Sequence, residues 1–209
     1  MKLVLFDIDG TLLWTDGAGR RAIHDALIEV FGSTGPADHW FDGKTDRQIV
    51  RELMRLDGHD DAWIDARMDE LLDKYATYLA RELAHPGHTR RLYDGVTELL
   101  DALEARDDVV LGLLTGNLEA GAMGKLRSVG LDPERFRVGA YGSDHELRPE
   151  LPAIAQRRAC ERLGVELTGE DIVVIGDTPA DIACGRAIGA RAIGVATGRY
   201  AVEELFEDR

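Results

Sequence analysis

The sequence predicts an α/β fold: a parallel sheet with helices on both faces, carrying an inserted α-helical cap. Three observations lead there. Short unbroken apolar runs, such as residues 3–6 and 109–114, have the length and composition of strands buried on both faces, as parallel strands are. In the second half of the chain such runs alternate with stretches of helical periodicity, the βαβ pattern. Between the first run and that second half lie helical stretches with no strand among them, which places a helical unit inside a Rossmann-like core. The expected division is a core of residues 1–16 and 88–209 and a cap of residues 17–87.

Taken in order, residues 3–6 form the first strand, and Asp7, Asp9, Gly10 and Thr11 follow it in a sharp turn. The passage from Trp14 to Gly19, with glycine at 17 and 19, reads as a flexible link into the cap. Ala22, Ile23, Ala26, Leu27, Val30 and Phe31 make one helical face that Gly32 ends. A turn-rich stretch, 33–43, precedes Thr45-Asp46-Arg47-Gln48, a capping box opening a helix that presents Ile49, Val50, Leu53, Met54 and Leu56. A third helix, 61–83, carries Trp63, Ile64, Met68, Leu71, Leu72, Tyr75 and Leu79 as its stripe. His85-Pro86-Gly87-His88 is the return link. Beyond it the pattern gives a helix over 94–106, a strand over 109–114, a helix over 117–129 and a weaker strand over 136–141. A helix over 149–163, a strand over 171–175, a helix over 179–188 and a last strand over 191–195 complete the alternation.

Composition narrows the function classes. With a formal net charge of −14, the chain offers no electrostatic footprint for nucleic acid or an anionic membrane. An anionic substrate therefore needs a local positive site. No apolar run approaches the roughly 20 residues of a membrane span, and the N-terminus reads as a strand without a cleavable leader, so the expectation is a soluble, cytoplasmic protein, monomer or homodimer. Cys160 and Cys184 lack any ligand spacing and read as free thiols. Of the 25 Lys and Arg residues, Lys2, Lys44, Lys74 and Lys125 are the lysines, so arginine carries most of the positive charge.

The chemistry gathers where strands stop. Open α/β sheets bind ligands at the carboxyl ends of their strands, and the first strand ends in Asp7 and Asp9, spaced by two so that both point to one side of an extended backbone. Half-buried carboxylates need a cation or hydrogen-bond donors, which points to Mg²⁺ or another hard metal. At the end of the strand over 109–114, Thr115 offers a hydroxyl, Gly116 permits close approach, and Asn117 is expected to open a helix whose free N–H groups favour a phosphate. Helix capping explains the same triplet in structural terms. The strand over 171–175 leads into Gly176-Asp177-Thr178-Pro179-Ala180-Asp181. There Thr178 serves as N-cap with proline at the first helical position, Asp181 suits the charged helix start, and Asp177 has no capping duty.

These motifs, in this order over nearly the whole chain, resemble those of the haloacid dehalogenase superfamily, in its magnesium-dependent, phosphoglycolate-phosphatase-like branch with a helical cap. The resemblance matches Asp7-Ile8-Asp9-Gly10-Thr11 to the DxDGT motif, Thr115 to the second motif, and Gly176 to Asp181 to GDxxxD. The third motif departs: Arg148, before Pro149, stands where relatives carry lysine, and the two cations differ in geometry. Relatives also usually continue past residues 200–205 into another strand and helix.

The resemblance implies a phosphatase for a small phosphorylated metabolite, such as phosphoglycolate or a sugar phosphate. Asp7 would be the nucleophile that becomes an aspartyl phosphate, and Asp9 the general acid and base. Mg²⁺ would be held by Asp7, the Asp9 backbone carbonyl and Asp177, with Asp181 behind or through water. Thr115, Gly116, Asn117 and Arg148 would bind the phosphoryl oxygens, and Lys44 or Arg20 would reach the distal part of the substrate. Asp9 argues against a dehalogenase. A phosphosugar mutase, a phosphonate hydrolase using Lys44, and a catalytically silent phosphometabolite-binding module are the alternatives. Among lysines, none is expected to be better placed than Arg148, Lys125 lying far along the helix after Asn117.

Overall fold

The computed structural model describes residues 1–205. Its centre is a five-stranded parallel sheet in the order β5-β4-β1-β6-β7, with β1 Lys2–Phe6, β4 Val109–Leu114, β5 Val138–Ala140, β6 Ile172–Gly176 and β7 Arg191–Gly194. The chain leaves β1 for β4 and β5, then returns to the other side of β1 for β6 and β7. A crevice follows at the carboxyl ends beside β1, the topological switch point of such sheets. Phe6 is in register with Leu113 of β4 and Ile175 of β6, so Asp7, Thr115 and Asp177 leave neighbouring strands at nearly one level.

Both faces of the sheet are covered, as its apolar strands demand. Val96 and Leu100 of α4 (Val96–Glu104) and Ala122 and Leu126 of α5 (Glu119–Ser128) pack with Val4, Phe6, Leu111 and Leu113. On the opposite face, Leu151, Ala155 and Ala159 of α6 (Leu151–Leu163) and Cys184 of α7 (Pro179–Ala187) pack with Leu3, Leu5, Ile172 and Val174. A side chain such as Leu5, fully removed from water, contributes about 1.5–3 kcal/mol. Cys160 and Cys184 are free, and no helix among the described residues is long and apolar enough to cross a membrane.

Between β1 and β4 lie α1 (Ala18–Phe31), α2 (Asp46–Leu56) and α3 (Asp61–Ala84). They pack around their own core, in which Ile23, Leu27, Leu53, Met54, Ile64, Met68 and Tyr75 are buried. Gly32, at φ 77, ends α1 in the left-handed conformation that glycine adopts at least cost.

The structure departs from the sequence reading at several points. The passage from Trp14 to Gly19 is ordered: β2 (Leu13–Trp14) pairs antiparallel with β3 (Arg91–Leu92), so the two crossings into the helical unit are tied by a ribbon, and α1 already begins at Ala18. Thr45 caps α2 by accepting from Gln48 N at 3.1 Å. The reciprocal half of the capping box is missing, because the Gln48 side chain turns to Glu52 instead. Leu56, expected on the buried face, is exposed at the end of α2. Arg148–Glu150 forms a 3₁₀ turn ahead of α6, since proline at 149 suits a first turn. Finally, α5 begins at Glu119 with Leu118 as N-cap, so Asn117 stands outside the helix and its side chain is free for other work. The last turn, α8 (Val202–Leu205), lies on residues from the Tyr200–Leu205 stretch, with Leu205 buried.

Candidate active site at the carboxyl edge of the sheet

At the end of β1 the Asp7 carboxylate is buried and its Oδ1 accepts from Arg148 Nη2 at 3.0 Å. The same nitrogen donates to Asp181 Oδ1. One buried guanidinium nitrogen thus bridges a carboxylate at the end of β1 and one in the first turn of α7, and Arg148 Nε, also buried, has no partner among the described residues. Asp181 is fixed as expected of a charged helix start. Its Oδ2 accepts from Thr178 N at 3.0 Å and Thr178 Oγ1 at 2.7 Å, and Thr178 caps α7. Asp177 accepts from Thr11 Oγ1 at 3.1 Å. Two glycines make room for it: a Cβ at Gly10 or at Gly198 would collide with the Asp177 carboxylate. Gly10 also holds a φ of 85 that other residues rarely adopt.

Asp7, Asp177 and Asp181 form a cluster in which carboxylate oxygens come within 4.8 Å of one another. Burial pushes the Asp7 carboxyl up to about 7, with Asp181 and Asp9 adding to the rise and Arg148 opposing it. Burial likewise raises Asp177 to about 8, helped by Asp7 and Asp181. For Arg148, burial disfavours the charge but Asp181 and Asp7 outweigh it and hold the guanidinium protonated. When ionised, the three carboxylates carry more negative charge than the single Arg148 offsets. Hard oxygen donors with excess charge are the set that a hard divalent cation such as Mg²⁺ takes, so the residues present fit that ion.

Asp9 turns away from this cluster. Its Oδ2 accepts from Lys125 Nζ at 2.6 Å and from Asn117 Nδ2 at 2.8 Å. Asn117 also donates to Thr115 Oγ1 at 2.8 Å, and its Oδ1 accepts from Lys125 at 2.6 Å. The side chain of Asp9 is thus separated from the carboxylate cluster, leaving its backbone carbonyl as the group it could offer a metal. Lys125, expected to lie far along the helix after Asn117, is instead buried and touches Asp9 directly, while Arg148 is the cation on Asp7. Counting turns along a helix from Asn117 concealed this, because Asn117 is not on that helix.

The helical unit closes over these residues. A Cβ at Gly116 would strike the Lys44 carbonyl, and one at Gly142 the Gly116 carbonyl, so backbones meet with no side chain between them. Asp46 N donates to Gly116 O at 2.9 Å and the Asp46 carboxylate accepts from Leu118 N at 2.8 Å. Asp46 was not singled out in the sequence, where an acid at the start of α2 reads as a dipole partner. Burial raises its carboxyl to about 6, against the pull of Lys125 and the Leu118 amide. Arg51 pairs with Glu146 at 2.5 Å, and Arg199 pairs with Asp42 at 3.0 Å while stacking 3.4 Å over Trp40. The cavity between the helical unit and the sheet edge, open on one side to solvent, has a volume of about 250 Å³ and is lined by Asp7, Asp9, Thr115, Lys125, Arg148 and Asp177 below and by Arg20, Phe41 and Lys44 above. Lys44 lines it with its Nζ paired to Glu52 at 2.5 Å and 3.2 Å from His39 Nε2. Arg20 donates to His39 O at 3.0 Å and stacks on Phe41.

A family model described as hydrolase, haloacid dehalogenase-like hydrolase, matches residues 1–189. The chain belongs to this family. Among curated members it is 30% identical over 204 residues to the N-acetylmuramic acid 6-phosphate phosphatase of Pseudomonas aeruginosa, covering 95% of this chain and 83% of that one. It is 28% identical over 211 residues to the pyrophosphatase PpaX of Bacillus pumilus, covering 100% of this chain and 89% of the relative. The crystal structure of a hydrolase from Pseudomonas syringae shares the fold, with a TM-score of 0.74 at 22% identity over 98% of this chain and 89% of that one. The haloacid dehalogenase-like core thus accounts for the sheet and for the strand-end placement of Asp7, Thr115 and Asp177.

Proposed function

We propose that the protein is a Mg²⁺-dependent phosphatase that hydrolyses small phosphomonoester metabolites through an acyl phosphate on Asp7. The observation that carries this reading is the pair of Asp7 and Arg148 at the floor of the cavity, a buried carboxylate beside a cation with an unpartnered N–H. Family membership and relatives named as phosphatases support it. Residues 17–87 act as a cap over a catalytic core of residues 1–16 and 88–209. A cavity of about 250 Å³ suits a phosphoryl group with a few carbons and excludes phosphorylated macromolecules.

In the first step an Asp7 carboxylate oxygen attacks phosphorus in line while the ester P–O bond breaks, and Asp9 delivers its proton to the leaving oxygen. Asp9 then takes a proton from water as the water oxygen attacks phosphorus, which frees Asp7 and inorganic phosphate. Arg148 Nε and Thr115 hold the phosphoryl oxygens, with Gly116 and Asn117 at the same wall. Asp7, Asp177, the Asp9 carbonyl and, at one remove, Asp181 would hold Mg²⁺, which when bound supplies charge neutralisation for the carboxylates and the phosphoryl group. Lys44 reaches the distal part of a substrate by exchanging Glu52 for it. The pairing of Lys44 Nζ with Glu52 speaks against imine chemistry on a phosphonate.

The test is phosphate release from a panel of small phosphorylated metabolites and from an aryl phosphate, with and without Mg²⁺. Turnover that needs the metal and is lost in Asp7→Asn is the expected result. Metabolite binding without turnover would instead establish the silent module.

A further inference from the structure

We propose that Lys125 is a positioning residue that holds Asp9 in place for proton transfer to the leaving group. The proposal rests on the phosphatase reading above. Lys125 is buried on α5, 4% exposed, and its Nζ lies 2.6 Å from both Asp9 Oδ2 and Asn117 Oδ1. Burying an ammonium costs several kcal/mol unless partners satisfy it, and a helix lysine facing solvent would incur no such cost. Nothing in the packing of α5 requires a charge there: Ala122 and Leu126 on the same helix serve the core.

The partners form a closed triangle. Asn117 presents its carbonyl oxygen to Lys125 and its amide to Asp9 and Thr115. Lys125 therefore fixes the amide orientation of Asn117 as well as the carboxylate of Asp9. The helical insertion roofs the triangle: a Cβ at Gly19 would lie 3.5 Å from Lys125 Nζ and 3.6 Å from the Tyr75 hydroxyl. Asp9 itself stays 42% exposed at its side chain, toward the cavity. Both identified donors converge on Oδ2, and Oδ1 is left to carry the proton toward a leaving oxygen. Without Lys125, Asp9 keeps only the Asn117 amide, whose orientation Lys125 also fixes, and gains freedom to rotate toward solvent. Leaving oxygens that need a proton then lose it, and those that do not are little affected.

The experiment compares Lys125→Met, of similar length without charge, with wild type on two substrates. kcat/KM reports the steps through phosphorylation of Asp7, before the common hydrolysis step. For an alkyl phosphate, whose alkoxide must be protonated, kcat/KM should fall about 10²-fold, the low end of what a placed general acid contributes. For p-nitrophenyl phosphate, whose leaving group departs as the anion, it should fall less than about threefold. In an Asp9→Asn background Lys125→Met should add nothing further on the alkyl substrate, because the two act through one group. Equal losses on both substrates, or full additivity with Asp9→Asn, would overturn the proposal and leave Lys125 a structural residue. Should Lys125→Met fail to fold, Lys125→Gln, which keeps donors for Asn117, gives the same comparison. An inactive wild type on every phosphate ester would defeat the phosphatase reading itself, a result distinguishable from either outcome.

Discussion

Replacing Arg148 separates two roles that its geometry combines. In the structure a single nitrogen, Nη2, reaches both Asp7 and Asp181. A lysine ammonium can make that same double contact, so Arg148→Lys should keep turnover within about tenfold of wild type; what it loses is the Nε–H and planarity. Arg148→Ala removes the charge altogether. Losing one charge-stabilising donor of this kind costs about 10²–10³ in kcat, and leaving buried carboxylates without their cation costs roughly 3–5 kcal/mol of stability. For a chain of this size that is a fall in Tm of roughly 6–20 °C. The fall should be smaller at pH 5 than at pH 8, because Asp7, already raised to about 7, takes up a proton in place of the arginine. The assay is kcat on an aryl phosphate together with thermal melts at both pH values. Turnover of Arg148→Ala within threefold of wild type would refute the reasoning and place the charge balance elsewhere.

Asp7 and Asp177 bind protons more tightly in the folded chain, at about 7 and about 8 against an ordinary 3.8. The metal-free protein should therefore lose stability as pH rises between about 4 and 8. Mg²⁺ should raise Tm more at pH 8 than at pH 5, and equal shifts in differential scanning fluorimetry would contradict this. Gly116→Ala puts a methyl against the Lys44 carbonyl and within 3.0 Å of Thr45 Cα. Both are backbone, so the helical unit must lift, and kcat/KM should fall about 10²-fold for roughly an ångström of misplacement while the melt of the core barely changes. Lys44→Ala should change the relative kcat/KM among small substrates that differ beyond the phosphate; an unchanged ranking would remove Lys44 from the substrate path.

Much of this arrangement can be read from the chain before any coordinates. Strand ends were legible because Asp7, Thr115 and Asp177 each break an apolar run at its carboxyl end, and register in a parallel sheet brings such breaks to one level. The stripe of α3 was legible because Ile64, Met68, Leu71 and Tyr75 repeat at helical spacing and are buried together. What escaped was set by contacts between segments distant in sequence. Asp46 and Leu118 meet across 72 residues, and Lys125 and Asp9 across 116; neither pair leaves a local pattern. The ribbon of β2 and β3 was missed for the same reason: two residues from each strand are too few to show alternation. Asn117 misled because Thr-Gly-Asn is a common helix opening, and here the helix waits until Glu119.

The central claim is that Asp7 carries the phosphoryl group. Quenching the enzyme during turnover of a small phosphomonoester in the presence of Mg²⁺, reducing the trapped acyl phosphate with borohydride and sequencing the peptides by mass spectrometry should find homoserine at position 7. Asp9 and Asp177 should remain aspartate, and Asp7→Asn should give no reduced residue. Reduction at another carboxylate, or full turnover in Asp7→Asn, would contradict the account.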